Sequence, residues 1–383
     1  MNNWNNFLLP LGQVLGKPAE LALFSSDKTR TEENGKIKIH KKGGDRRNIM
    51  NTEFTHKLEL LASNKNAIDK SFYFEMGMSQ VVAGLLFAGA GKEADIEKMK
   101  EARNILKKKA GVFSAFRDAT ELVLLARMAM APDMEQYIDD LIEVFNVLMK
   151  GKVFEDSYMV LTAMIIVDRG RKADAEEIKT TTDEIMKRMS KLHPILTSSE
   201  DLALAALLAM SGRSVDAVID DMEECYRYTR KELKLKAESN SIQALSQILA
   251  ITGGDIKAKC DKVAEIFAAF KENGSKFGTY LEFPALGTLL DVEVPTDVLV
   301  PEIIEAADFL KKSKGFGGLS MDKKTRLMFA ALLAGEVYSG GSSGATYSAI
   351  NNAVVTNSAI AMVIAEETAI MVIMMCAATA NSN

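Results

Sequence analysis

Residues 219–231 read IDDMEECYRYTRK, and five other stretches align with them without gaps. These are IEKMKEARNILKK from Ile96, IDDLIEVFNVLMK from Ile138, KTTTDEIMKRMSK from Lys179, CDKVAEIFAAFKE from Cys260 and VPEIIEAADFLKK from Val300. The sixth column is always glutamate: Glu101, Glu143, Glu184, Glu224, Glu265 and Glu305. Columns one, four, seven, eight and eleven are mostly apolar, which is the stripe of an amphipathic helix. At about 100° per residue the glutamate column lies about 150° from the centre of that stripe, so it faces away from the local core. Lysine recurs in column thirteen in five of the six copies, on the same outward side. Such a face is solvated, or else a charged ridge for a partner.

Before each amphipathic segment stands a nearly uncharged run rich in Ala, Leu and Met: 81–88, 122–131, 159–167, 202–210, 244–251 and 283–290. Helices without a polar face must be covered on most sides. Gly89, Pro132, Asp168, Gly212, Gly253, Gly254 and Asp291 follow or end these runs as helix-stop residues. The unit is a buried helix, a tight loop and an amphipathic helix, repeated at a period of about 41 residues. One hairpin cannot bury its own apolar face and must stack on neighbours. Residues 53–72 supply an atypical first helix, and 327–334 open a seventh, partial unit.

The fold class expected is all-α: about six tandem helical hairpins in a curved α-solenoid, with a closed α/α toroid as the alternative. The expected organisation has four parts: a disordered basic extension (1–49), the hairpin domain (50–338), a Gly/Ser linker (339–346) and an apolar helix packed on the repeats (347–383). Residues 1–49 hold nine Lys/Arg against five Asp/Glu, leaving a body of net charge −9 within an overall −5. Such an extension is too polar to offset its ordering entropy, and Met50 is an alternative start. An acidic body argues against a nucleic-acid partner. No basic stretch followed by an apolar run marks a secretory leader.

Within the C-terminal run, 359–378 has the length of a membrane span. Its Ile and Val residues contribute roughly −2 to −4 kcal/mol, whereas Glu366 and Glu367 cost about 5 kcal/mol at the bilayer centre. Membrane contact through this helix is therefore disfavoured. Cys225, Cys260 and Cys376 are scattered, fit neither a disulfide framework nor a metal set, and read as small core residues of a reducing, cytoplasmic compartment.

The acidic clusters Asp139–Asp140–Glu143 and Asp220–Asp221–Glu224 match a pattern that binds Mg²⁺ with a diphosphate. Both occupy outward columns of the repeat, and repetition explains them without chemistry. His40, His56 and His193 have no nucleophile or carboxylate at a recognised spacing, so they read as surface residues. Phe72, Tyr73, Phe74, Tyr226 and Tyr228 read first as packing residues, and Phe316 as a plug at a hairpin junction. No catalytic, cofactor or metal residues are assigned, and no cofactor is called for. The expected function is a non-catalytic scaffold for a protein partner. The alternative is an enzyme with its site inside a toroid, acting on a hydrophobic or sugar-like substrate.

The alternation of Ala/Leu/Met-rich and acidic helices from Ile96 to Lys312, with a terminal Ala-rich run after a polar linker, resembles a bacterial family known as domain of unknown function 4003. The resemblance spans about residues 52–375. It implies an all-helical bacterial cytoplasmic protein, and it carries over no activity and no functional residues.

Overall fold

Asn51 starts the first helix: its side-chain oxygen accepts from the Glu53 amide, satisfying a donor that the helix itself cannot. Asp133, Asp156, Ser214, Asp255 and Asp322 do the same for five later helices. The computed structural model describes residues 50–110, 115–152, 155–318, 320–339 and 350. The expected basic extension, the linker beyond Ser339 and the C-terminal run apart from Ile350 lie outside the described residues, as do His40 and Cys376.

Among the described residues the α-helices are α1 (Thr52–Ser71), α2 (Gly77–Gly89), α3 (Ile96–Ala110), α4 (Glu121–Met130), α5 (Met134–Met149), α6 (Ser157–Asp168) and α7 (Ala175–Leu192). They continue with α8 (Leu202–Ala209), α9 (Val215–Arg227), α10 (Ser239–Ile251), α11 (Ile256–Glu272), α12 (Thr296–Lys311) and α13 (Lys323–Tyr338). No strand occurs among these residues. The apolar run expected as a helix at 283–290 is a 3-10 helix, Phe283–Leu289, with Pro284 near its start. Proline lacks the amide an α-helix would use. Gly287 sits against α10, where an added Cβ would lie 2.8 Å from Ile248 Cγ2.

The aligned columns fall at equivalent places on α3, α5, α7, α9–π-turn, α11 and α12. Column four (Met99, Leu141, Thr182, Met222, Val263, Ile303) is buried throughout. So are column seven (Ala102, Val144, Ile185, Cys225, Ile266, Ala306) and column eleven (Leu106, Leu148, Met189, Thr229, Phe270, Leu310). The six glutamates are exposed, apart from a half-buried Glu224.

The interleaved helices are apolar all round. Every residue from Ser157 to Ile166 of α6 is buried, and so is Leu202–Leu208 of α8. At about 1.5–3 kcal/mol for each large aliphatic side chain removed from water, these helices carry much of the burial energy. Contacts run from α2 to α4, α6 to α8, α8 to α10, α10 to the 3-10 helix and on to α13. The amphipathic helices touch in sequence, α3 to α5, α7, α9, α11 and α12.

α1 packs on α2 and α3, and also on α12 and α13. Its close approach to α2 depends on Gly84, whose added Cβ would meet the Lys65 backbone nitrogen at 3.0 Å. At the other side Phe54 stacks edge-on against Tyr338 with ring centroids 5.9 Å apart, and Lys314 reaches Asp69 at 3.4 Å. These contacts join α1 to the last described helices. Phe54 is fully buried, so Phe54→Ala should cost about 3–5 kcal/mol in denaturant unfolding. The exposed Glu59→Ala control should stay within about 0.5 kcal/mol of wild type. An equally small effect at Phe54 would contradict the joined ends.

Candidate functional site

Single ionisable residues interrupt the apolar helices near their ends, and they gather in two places. The first lies at the C-terminal ends of α4 and α6. Arg127 Nε stands 3.2 Å from Asp168 Oδ2, and the Tyr137 hydroxyl donates to Asp168 Oδ1 at 2.9 Å. Burial pushes the Asp168 carboxyl up, with Arg127 and Tyr137 pulling it back. Burial likewise raises Glu336 of α13, against Lys57 and Arg127. Gly89 ends α2 beside it: an added Cβ would lie 2.6 Å from Glu336 Oε2. Lys57 Nζ donates to the Gly89 carbonyl at 2.9 Å, satisfying a helix-end acceptor. A cavity of about 540 Å³ opens beside Arg127, Tyr137 and Asp168, with Lys92, Met130 and Val167 in its wall. Carboxylates held toward their protonated form beside a cavity are suited to proton transfer. Here both Asp168 oxygens already hold a partner, which also makes the group a clasp between α4, α5 and α6.

The second place is the N-terminal end of α8. Ser198 and Asp201 form a capping box, and Asp201 is buried. From α10, Gln247 Nε2 donates to Asp201 Oδ1 at 2.5 Å, while Gln243 Nε2 stands 3.2 Å from both oxygens. The side-chain oxygens of Gln243 and Gln247 are buried without a hydrogen-bond partner. Burial raises the Asp201 carboxyl, and the Ser198 amide and the two glutamines lower it. Nearby Glu200 is raised by burial and by Asp201. Across the array, Glu121 pairs with Arg103 at 2.7 Å, and Arg103 also pairs with Glu75 while lying over Phe72.

The residues singled out from sequence fall elsewhere. Asp139 pairs with Lys109 at 2.7 Å, and Asp140 and Glu143 share Lys172 at 2.7 and 2.6 Å. Asp221 pairs with Arg213 at 2.7 Å and Glu224 with Lys257 at 3.7 Å. Both acidic clusters therefore latch neighbouring helices. His193 does have a carboxylate partner in space: Nε2 lies 2.8 Å from Glu223, and the ring stacks on Tyr226. His56 is exposed.

Phe72 is core, but Tyr73 and Phe74 are 66% and 85% exposed and stack on each other at 4.0 Å, contrary to the packing role expected of them. They follow the end of α1 and lie in the turn before α2, where no helix face remains to bury them. Tyr226 and Tyr228 are half-buried, and Phe316 is fully buried at the α12–α13 junction. Cys225 and Cys260, scattered in sequence, meet at the α9–α11 contact with sulfurs 3.3 Å apart. The hydrogen bond to Cys260 and burial both push the Cys225 thiol up. Sequence reasoning missed Arg127, Asp201 and Glu336. The available signal was one charge inside or beside each otherwise apolar run.

The profile of DUF4003, described as "Protein of unknown function", matches residues 64–369. The chain belongs to that family. A relative from Bacillus subtilis (strain 168), "Uncharacterized protein YeaA", is 21% identical over 229 residues, covering 59% of this chain and 68% of its own length. No solved structure matches the chain. This DUF4003 member therefore inherits no site residues, and its chemistry rests on its own side chains.

Asp201 gives a test with a defined sign. A carboxyl whose folded pKa lies above its ordinary value of about 3.9 favours folding below that value, and the benefit is lost as pH rises through the raised one. Asp201→Asn removes the titration and keeps the shape. The stability of the variant relative to wild type should therefore increase as pH rises above about 4, read by denaturant unfolding at each pH. A pH-independent difference would show that Asp201 does not titrate in this way.

Proposed function

We propose that this DUF4003 member is a non-catalytic, cytoplasmic scaffold that holds a protein partner on a closed α/α toroid of seven hairpins. The closed form, rather than an open solenoid, is supported by the contacts of α1 with α12 and α13. The hairpins are then α1–α2, α3–α4, α5–α6, α7–α8, α9–α10, α11 with the 3-10 helix, and α12–α13, each amphipathic helix packing on the buried helix after it rather than, as the sequence unit has it, the one before. The single observation that carries the binding role is the stacked, exposed pair Tyr73–Phe74. Exposed aromatics of this kind anchor protein interfaces, because they bury much area at little entropic cost. An acidic body fits a protein partner better than nucleic acid. No helix among the described residues is long and apolar enough to cross a membrane.

The test places a photo-crosslinking residue at position 73 and, as a control, at the exposed Tyr280. The expected result is a discrete crosslinked protein from position 73 alone. The partner's affinity should fall by about 30-fold or more in Tyr73→Ser/Phe74→Ser, the loss of a hot spot worth about 2 kcal/mol. Equal crosslinking at both positions, or an unchanged affinity, would overturn the reading.

One observation favours the enzymatic alternative: Asp168 and Glu336, both raised by burial, stand at Arg127, and Asp168 lines a cavity. Under the scaffold reading Glu336→Gln leaves stability near neutral pH unchanged or improved, because a buried charge is removed. Under the enzymatic reading a sugar or small apolar substrate shifts the melting temperature of the wild type saturably, and Glu336→Gln abolishes that shift. A thermal-shift series on the two proteins separates them.

A further inference from the structure

Several lysines on the amphipathic helices of this acidic body are paired: Lys109 with Asp139, Lys179 with Asp183 and Lys262 with Glu265. One group departs from this. Lys234, Lys236, Lys271 and Lys276 surround a cavity of about 410 Å³, and their ammonium groups have no ion-pair or hydrogen-bond partner among the described residues. All four are exposed. Between them the wall is apolar, built from Leu235, Phe267 and Phe277. Phe277 is held by Phe270 at 4.8 Å and Phe267 by Phe283 at 5.4 Å, so the aromatic wall is fixed by the core behind it. Ser275 lines the same cavity. It is only 3% exposed, and its hydroxyl is buried without a partner. An unsatisfied buried hydroxyl costs free energy that a ligand oxygen would recover.

The backbone on this side is strained in the same place. Tyr228–Glu232 forms a π-helical turn, and Lys234 follows with φ of 51°, the one positive-φ residue other than glycine among the described residues. A non-glycine residue in the left-handed region is strained, and here that conformation sets Lys234 at the cavity rim rather than continuing the helix. Four unpaired cations concentrated around an apolar cavity raise the local potential for an anion, and the apolar wall supplies area for a hydrophobic body.

We propose that this cavity is a binding site for a small anionic amphiphile, a molecule with one carboxylate or phosphate-monoester head and a short apolar tail. The head lies among Lys234, Lys236 and Lys276, within reach of the Ser275 hydroxyl, and the tail lies on Phe267, Phe277 and Leu235. This site is independent of the Tyr73–Phe74 interface and of the Asp168 cavity.

The experiment is titration calorimetry on the full chain with octanoate, octyl phosphate, octanol and inorganic phosphate as probes. Octanoate or octyl phosphate should bind saturably at one site, and the tighter of the two identifies the head group. Octanol and inorganic phosphate should each bind at least about tenfold more weakly. Lys236→Gln/Lys276→Gln should weaken the better probe at least about tenfold with the unfolding transition unchanged, since both side chains are exposed. Ser275→Ala should weaken it by a smaller factor. Equal binding of octanol, indifference to the lysine variant, or absence of saturable binding would each overturn the proposal. So would binding to phosphatidylglycerol vesicles without binding of either monomeric probe, an outcome that favours a membrane surface instead.

Discussion

The constraint on which the molecule rests is that half of its helices have no face they can show to water. α6 and α8 are buried residue after residue. A helix of that kind is stable only when enclosed. Enclosure is supplied on one side by the amphipathic helices, whose fourth, seventh and eleventh columns are dry in all six copies. It is supplied laterally by the next apolar helix in line. The same demand falls on the first and last hairpins, and α1 meets it by lying against α13 with Phe54 on Tyr338. The ends of the array thus cover each other.

Charge is distributed to match. On the outer face, lysines and carboxylates from successive helices pair across the gap, as Lys172 does with Asp140 and Glu143. Exposed pairs of this sort contribute about 0–1 kcal/mol each and chiefly set register. At the ends of the apolar helices, burial raises the carboxyls of the buried Asp201, the half-buried Glu336 and Asp168 at a cavity edge. Asp168 is held by Arg127 of α4 and Tyr137 of α5, and Asp201 by two glutamines of α10, so these two carboxylates cross-link helices. The lysines around Phe267 and Phe277 obey neither pattern, being neither paired nor buried.

Much of the fold was legible because a helix converts sequence spacing into direction. The glutamate column from Glu101 to Glu305 is outward because it sits opposite an apolar stripe, and no tertiary information is needed to see that. Phe316 as a junction plug was equally readable, from one aromatic among glycines. The site was much less legible. Asp168 read as a helix stop, yet its role depends on Arg127 from α4 and Tyr137 from α5. His193 had no partner within its own segment, and Glu223 stands 30 positions along the chain. Tyr73 and Phe74 carry the same local pattern as Phe72, but only Phe72 lies within reach of the core.

The sequence by itself determined the helical class, the alternation of enclosed and amphipathic helices, and which face of each amphipathic helix is dry. All of these follow from local periodicity and from the exclusion of apolar surface from water. Tertiary structure alone decided that the first and last hairpins meet, that Cys225 lies against Cys260, that Asp201 is held by two glutamines of α10, and that four lysines from α11 and two loops share one apolar cavity. Such juxtapositions depend on how neighbouring helices pack across the chain, and no local pattern encodes that packing.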